Sequence, residues 1–381
     1  MNSLASKIPH GRRHGFTLVE MLVAVTILVG IMVLATQMIG ATSKVWKNTT
    51  AKIEAFQNAR DGFQLMTDEL RQATLNTYWD YYDSTGHTSR NYVSPPFAPV
   101  AYGRQSELHF RIAKSLIGAQ ANNTYGVFFQ APLGYTAAPA QYGNLQNLLN
   151  AAGFYIEFSD GTGLVNSPPA FLPVTRIYRY RLMQIIQPTE SMTVYNYSFP
   201  GSTLSPTAWL AAPTGAQRAT CTRIVANNIV GLVIWAKATD SPTDTLVSPT
   251  SYSYDSRMGL NGGAAIPPAT WTPGVTSQPL QMNQMPPILH VAMIAIDEPS
   301  AKVLQGTSTV VPKLISGPAA PFAYGQTSAG GGLLFNKPQY MDSDLLTFQT
   351  GPNGLASIKP HLNFRVFETT LTVKSARFST Q

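Results

Sequence analysis

Gly15-Phe16-Thr17-Leu18-Val19-Glu20, running on into Met21-Leu22-Val23-Ala24-Val25-Thr26-Ile27-Leu28-Val29-Gly30-Ile31-Met32-Val33-Leu34-Ala35, decides how the rest of the chain is read. From Phe16 to Gly40, about 25 residues hold a single charge, that of Glu20. At a rise of about 1.5 Å per residue such a helix is long enough to cross a bilayer. Lys7, Arg12 and Arg13 precede it. Cations on that side predict an N-terminus kept in the cytoplasm and a remainder that is exported. Glu20 is the anomaly, because a carboxylate near the bilayer centre costs about 2.5–3.5 kcal/mol on insertion scales. An ordinary secretory signal avoids such an acid and is cut after its apolar region, where only Ala41-Thr42-Ser43 offers weak small-residue character.

Composition narrows the rest. The 381 residues are 44% hydrophobic but only 12% charged, with 29 Gly and 28 Pro, which excludes a collagenous repeat, an acidic disordered chain and a heptad rod. Cys221 is the single cysteine, so neither an intrachain disulfide nor a multi-Cys metal site can form. Three of the cations behind the formal charge of +7 lie in the first fifteen residues, and without them +4 remains. The later cations are dispersed, as in Arg176, Arg179 and Arg181, so no row of phosphates is matched and no nucleic acid is expected.

The basic leader, Gly15, the hexapeptide ending in Glu20 and the long apolar segment together resemble the class III signal of type IV prepilins and pseudopilins. The resemblance implies a leader of residues 1–15 removed by a prepilin peptidase and methyltransferase, which cuts between Gly15 and Phe16 and N-methylates Phe16. Gly15 lets the peptidase approach the backbone, having no side chain. Glu20 would offer a negative charge to the α-amine of Phe16 on a neighbouring subunit, two groups that are each costly alone in lipid. Implied partners are that peptidase, other pilins or pseudopilins and an inner-membrane assembly platform. The implied location is the bacterial inner membrane, single-pass, with the C-terminal domain periplasmic or, in a filament, extracellular.

Past Gly40 the pattern becomes amphipathic without a stop. Ile53, Phe56, Phe63, Met66, Leu70 and Ala73 recur at three- and four-residue steps between charged neighbours, and no proline occurs from Pro9 to Pro95. One helix is expected from Thr17 to Asn76, with residues 16–40 spanning the membrane and 41–76 carrying a globular domain. Gly62 costs about 1 kcal/mol within it.

Residues 77–381 read as an exported β domain. Strands are expected at Leu108–Ile112, Gly126–Gln130, Gly153–Phe158, Arg176–Ile186, Ile229–Ala236, Ile288–Ile296 and Asn363–Ser375. Asn144–Ala152 is expected to form a short helix, and residues 239–287 and 312–337 to be long loops without packing ability. The fold class is thus α+β, a long N-terminal helix on a large antiparallel sheet. Asp68-Glu69-Leu70-Arg71-Gln72-Ala73, Asn227-Asn228-Ile229-Val230-Gly231-Leu232 and Met285-Pro286-Pro287-Ile288-Leu289 resemble segments of the minor pseudopilin J and minor pilin W groups. Ile294-Ala295-Ile296-Asp297-Glu298 and Arg365-Val366-Phe367-Glu368-Thr369-Thr370 resemble those of Verru_Chthon cassette protein C.

Catalytic patterns are sparse. None of His10, His14, His87, His109, His290 and His361 belongs to an H-E-x-x-H arrangement, and no nucleophile elbow or phosphate loop occurs. Arg223 stands two residues from Cys221, with no base beside it in sequence. Asp342-Ser343-Asp344 and Asp240 with Asp244 supply too few oxygens for calcium. No enzyme, metal or cofactor is expected. The reading is a minor pilin or pseudopilin near a filament tip. Its rival is a membrane-tethered protein that binds carbohydrate or another surface, using aromatic patches such as Tyr78-Trp79-Asp80-Tyr81-Tyr82.

Overall fold

The computed structural model describes residues 17–90, 96–114, 116–117, 124–145, 147–164, 177–196, 208–210, 218–241, 244, 246–248, 250–257, 271–305, 309, 328–352, 354–357 and 362–378. Gly15, Phe16, the leader and the stretch 312–327 lie outside these residues. The chain divides into two units, Met1–Ala51 and Lys52–Gln381. Helix α1, Leu18–Leu70, contributes to both.

In the second unit, Phe56, Ala59, Phe63, Met66, Leu70 and Ala73 are buried. Their alternating steps of three and four keep one narrow stripe of α1 against the domain. Ile53, expected in that stripe, is instead exposed. Gly62 is needed for close approach. A Cβ there would lie 3.1 Å from both the Ala226 Cβ and the Val225 Cγ1. The propensity lost at Gly62 is thus exchanged for helix–strand packing.

The helix ends at Leu70, six residues before the expected Asn76. The stripe continues, but other backbone partners capture the chain. The Thr74 N–H donates to the Gln130 carbonyl at 2.8 Å, the Lys374 N–H donates to the Arg71 carbonyl, and Ser375 Oγ donates to the Ala73 carbonyl. Asn76 then takes a positive φ of 26°. Tertiary hydrogen bonds override helix periodicity here.

Eleven strands among the described residues form three antiparallel sheets. β1 (Tyr78–Tyr82) pairs with β2 (Ala101–Gln105). β3 (Arg111–Lys114), β4 (Tyr125–Ala131), β5 (Asn150–Ser159), β6 (Arg179–Gln187), β7 (Thr222–Asn227) and β9 (Tyr254–Asp255) make a sheet ordered β7-β6-β5-β4-β3-β9. β8 (Ile229–Lys237), β10 (Ile288–Ile296) and β11 (Phe364–Thr372) make the third, ordered β11-β10-β8. The fold class is therefore α+β, as the sequence indicates. Every residue of β8 is buried, which explains its unbroken apolar run. Asn228, alone between β7 and β8, adopts φ 61°, a left-handed conformation that Asn tolerates and that turns the chain from one sheet into another.

Two further expectations are corrected. Asn144–Ala152 is not a helix. A single turn, α2 (Pro139–Tyr142), precedes it, and Asn150 begins β5. Asn150 Nδ2 donates to the carbonyls of Tyr135 and Gln187, so its side chain fixes the strand start. Nor are the described parts of 239–287 and 312–337 without packing. Tyr252, Tyr254, Met282, Met285, Leu334 and Phe335 are buried, and Gln278 and Asn283 donate to the Arg104 carbonyl. Polar side chains that satisfy loop carbonyls let a Pro- and Gly-rich segment enter the core. Helices α3 (Arg218–Cys221), α4 (Glu298–Gln305) and α5 (Met341–Thr350) complete the order.

His109 marks a buried polar centre. Its Nε2 lies 2.8 Å from Asp255 Oδ1, and Trp209 Nε1 donates to its Nδ1 at 3.0 Å. Arg111 pairs with the other oxygen of Asp255. Accepting at Nδ1 places the ring proton on Nε2, facing the carboxylate. Burial lowers the His109 pKa to about 4 against the pull of Asp255. Burial alone would raise Asp255, but His109, Arg111 and the Arg257 N–H outweigh it and hold the carboxyl low.

Two outcomes follow for this unit. Met66→Ala is expected to lower unfolding free energy by about 2–5 kcal/mol in denaturant titrations, because Met66 is fully buried. The His109 ring is expected to titrate in NMR near pH 4. Because the unfolded chain protonates near 6.5, the stability held by neutral His109 is full above that pH and is lost as pH falls from 6.5 toward 4. A ring midpoint near 6.5 contradicts the burial argument.

Candidate functional site

Thr17 precedes α1 and Glu20 is its third helical residue. The Met21 N–H donates to the Thr17 carbonyl at 3.2 Å, the first bond of the helix ladder. Around that bond the two side chains close a reciprocal box. The Glu20 N–H donates to Thr17 Oγ1 at 3.3 Å, and the Thr17 N–H donates to Glu20 Oε2 at 3.0 Å. Thr17 Oγ1 also donates to Glu20 Oε2 at 3.0 Å. This is the capping-box arrangement, and it satisfies backbone donors that a helix start otherwise leaves open. The sequence reading of Glu20 as an assembly group missed this second duty. Threonine three residues before a glutamate, at the head of an apolar run, was the available signal.

Beyond the box, α1 carries no charged residue from Met21 to Gly40. Leu18, Leu22, Ile27, Ile31 and Leu34 are all exposed, and no part of the apolar window is buried. A helix with no polar face needs a surrounding of lipid or of other apolar helices. Its hydroxyls conform to that need. Thr26 Oγ1 donates to the Val23 carbonyl and Thr36 Oγ1 to the Met32 carbonyl, each at 2.8 Å. Neither hydroxyl is left unpaired in an apolar medium. Among the described residues, α1 is the one helix long and apolar enough to cross a membrane.

A model of the prokaryotic N-terminal methylation motif matches residues 10–35. The N-terminal segment is a prepilin-like, class III signal. Such a signal supports a type IV pilin-like or pseudopilin-like protein, implies a prepilin peptidase and other pilins as partners, and agrees with a single-pass membrane anchor. No curated protein and no solved structure matches the chain. Of the three residues expected to carry processing and assembly, Glu20 is described, while Gly15 and Phe16 lie immediately before the described residues.

The remaining candidates fall elsewhere. Cys221 is buried in α3, and burial raises its thiol pKa above the usual value, which disfavours the nucleophilic thiolate. Arg223 donates to Gln184 Oε1 at 2.6 Å. Gln184 in turn holds Glu69, whose pKa burial pushes upward. His109 is wholly buried and committed at both ring nitrogens. Asp244 accepts the N–H groups of Ala238, Thr239 and Leu246, and Asp344 accepts that of Phe335, so both carboxylates hold loop backbone.

Thr17→Ala removes the cap. It is expected to destabilise the first helical turn by about 0.5–2 kcal/mol, seen as faster exchange of the Glu20 amide in micelles. Unchanged exchange there contradicts the box.

Proposed function

We propose that the chain is a minor pilin or pseudopilin subunit, cut between Gly15 and Phe16, N-methylated at Phe16 and assembled through α1 into a pseudopilus or type IV pilus. The observation that carries this is the methylation signal at residues 10–35 joined to a span whose single acid stands at Glu20. After cleavage Glu20 becomes the fifth residue, and the capping box shows its carboxylate directed at the backbone start of its own helix. A new α-amine at Phe16 on a neighbouring subunit is a stronger partner than a neutral amide, so charge pairing would set subunit register. The size of the second unit and its long connections fit a tip position better than a tightly repeated shaft. The minor pseudopilin J, minor pilin W and Verru_Chthon cassette protein C resemblances refine the same reading. It assigns no enzymatic activity, and its setting is a bacterial inner membrane with the second unit in the periplasm.

A second reading has its own observation. Trp79, Tyr81 and Tyr102 are exposed on the β1–β2 ribbon, with ring centroids 5.3 Å apart for Trp79–Tyr102 and 5.0 Å for Tyr81–Tyr102. An exposed aromatic ladder suits a tethered protein that binds carbohydrate.

Glu20→Gln separates the two, because Gln keeps the capping box while removing the charge. In cells of the source organism the variant is expected to be processed normally. Its recovery in crosslinked assemblies with other prepilin-like subunits should fall at least tenfold. Undiminished recovery contradicts charge-paired assembly and favours the tethered binding protein.

A further inference from the structure

Outside the N-terminal site, three elements of the second unit bring potential metal ligands together. His290 lies on β10, Glu368 on β11 and Asp342 in the first turn of α5. In the β10–β11 register His290 faces Thr370 and Ala292 faces Glu368, so His290 and Glu368 are diagonal neighbours on one sheet face. Their Nε2 and Oε1 atoms are 2.6 Å apart. One carboxylate oxygen of Asp342 joins them, with all three ligand atoms within 4.8 Å of one another.

Charge makes this convergence unusual. Two carboxylates approach, and the contact found there among the described residues is that of His290 with Glu368. Lys237, the buried cation closest in register, lies over the Trp235 ring at 4.9 Å and 3.9 Å from Asp240, so its charge is directed elsewhere. Trp235 is opposite His290 in the β8–β10 register and stacks on it, with centroids 6.3 Å apart and planes at 18°. That contact holds the imidazole plane. The Trp235 indole N–H is buried and meets no acceptor among the described residues.

We infer that His290, Asp342 and Glu368 form a site for a divalent transition-metal ion of the zinc class, pinning α5 to the β10–β11 edge. One imidazole nitrogen and two carboxylate oxygens suit Zn²⁺, whose bonds of about 2.0–2.2 Å would be reached by rotation of the exposed Asp342 and Glu368 side chains toward His290. Calcium prefers six to eight oxygens and is poorly served by this set. Three protein ligands leave a position for water. The inference departs from the sequence expectation of no metal. It could not be read there because the ligands are 26 to 78 residues apart and share no motif. The ion would add a second tie to α5, which already packs into the core through Met341, Leu345 and Phe348.

Calorimetric titration of Zn²⁺ into the full-length chain in detergent, with Ca²⁺ and Mg²⁺ titrated separately, tests this. His10 and His14 can also bind zinc, so the quantity read is the difference between wild type and variant. The wild type is expected to bind one more Zn²⁺ than the doubly substituted Asp342→Asn, Glu368→Gln chain. Asp342→Asn alone, at an exposed position, should weaken that ion at least tenfold while leaving the metal-free melting temperature unchanged. Co²⁺ should give a visible absorption band that His290→Asn abolishes. Equal zinc binding by the wild type and the double variant overturns the inference. So does saturable binding of Ca²⁺ in preference to Zn²⁺.

Discussion

A single negative charge in an otherwise uncharged helix start is the constraint on which the account turns. Glu20 heads an apolar span, where a carboxylate is costly unless something receives it. Within one chain the Thr17 N–H and hydroxyl do so, closing a capping box that also sets where α1 begins. Those neutral donors hold the carboxylate without neutralising it. Charge therefore remains available for a cation from outside the chain, which in the proposed reading is the methylated amine of a second subunit. One residue can then begin its own helix and register its neighbour, because the first duty needs only an acceptor and the second needs a charge.

The latter part of α1 obeys a different rule. From Phe56 to Ala73 the buried positions repeat in steps of three and four, and the domain's two large sheets share its core. Gly62 permits the closest approach, against β7. Phe63 meets Phe367 of β11, and Gln184 of β6 receives the buried Glu69. Helix and sheets thus complete one another's core within the second unit, and neither would bury its apolar face alone.

Legibility followed period and burial. The N-terminal hexapeptide and apolar run were readable because their chemistry is contiguous in sequence. Ile288–Ile296 was readable to the residue because, His290 apart, its run is apolar, as in a strand buried over most of its length. The helix end escaped because Thr74 is captured by Gln130, a partner 56 residues away. Asn144–Ala152 resembled a helix through Leu145, Leu148 and Leu149, yet Asn150 is bound to Tyr135 and Gln187 and opens a strand. The loops near Tyr252 and Phe335 were undervalued because their burial depends on side-chain bonds to distant carbonyls. Of the candidate site, Glu20 was legible as an anomaly, while the box with Thr17 passed unnoticed. The juxtaposition of His290, Asp342 and Glu368 needed the strand register and the placement of α5.

The most direct measurement is the mature N-terminus of the protein isolated from its native membrane, by intact mass and N-terminal fragment sequencing. The account predicts a chain that begins at Phe16 and carries a methyl group on its α-nitrogen. A chain that retains Met1 through Gly15, or one cut after the apolar segment near Ser43, would contradict it.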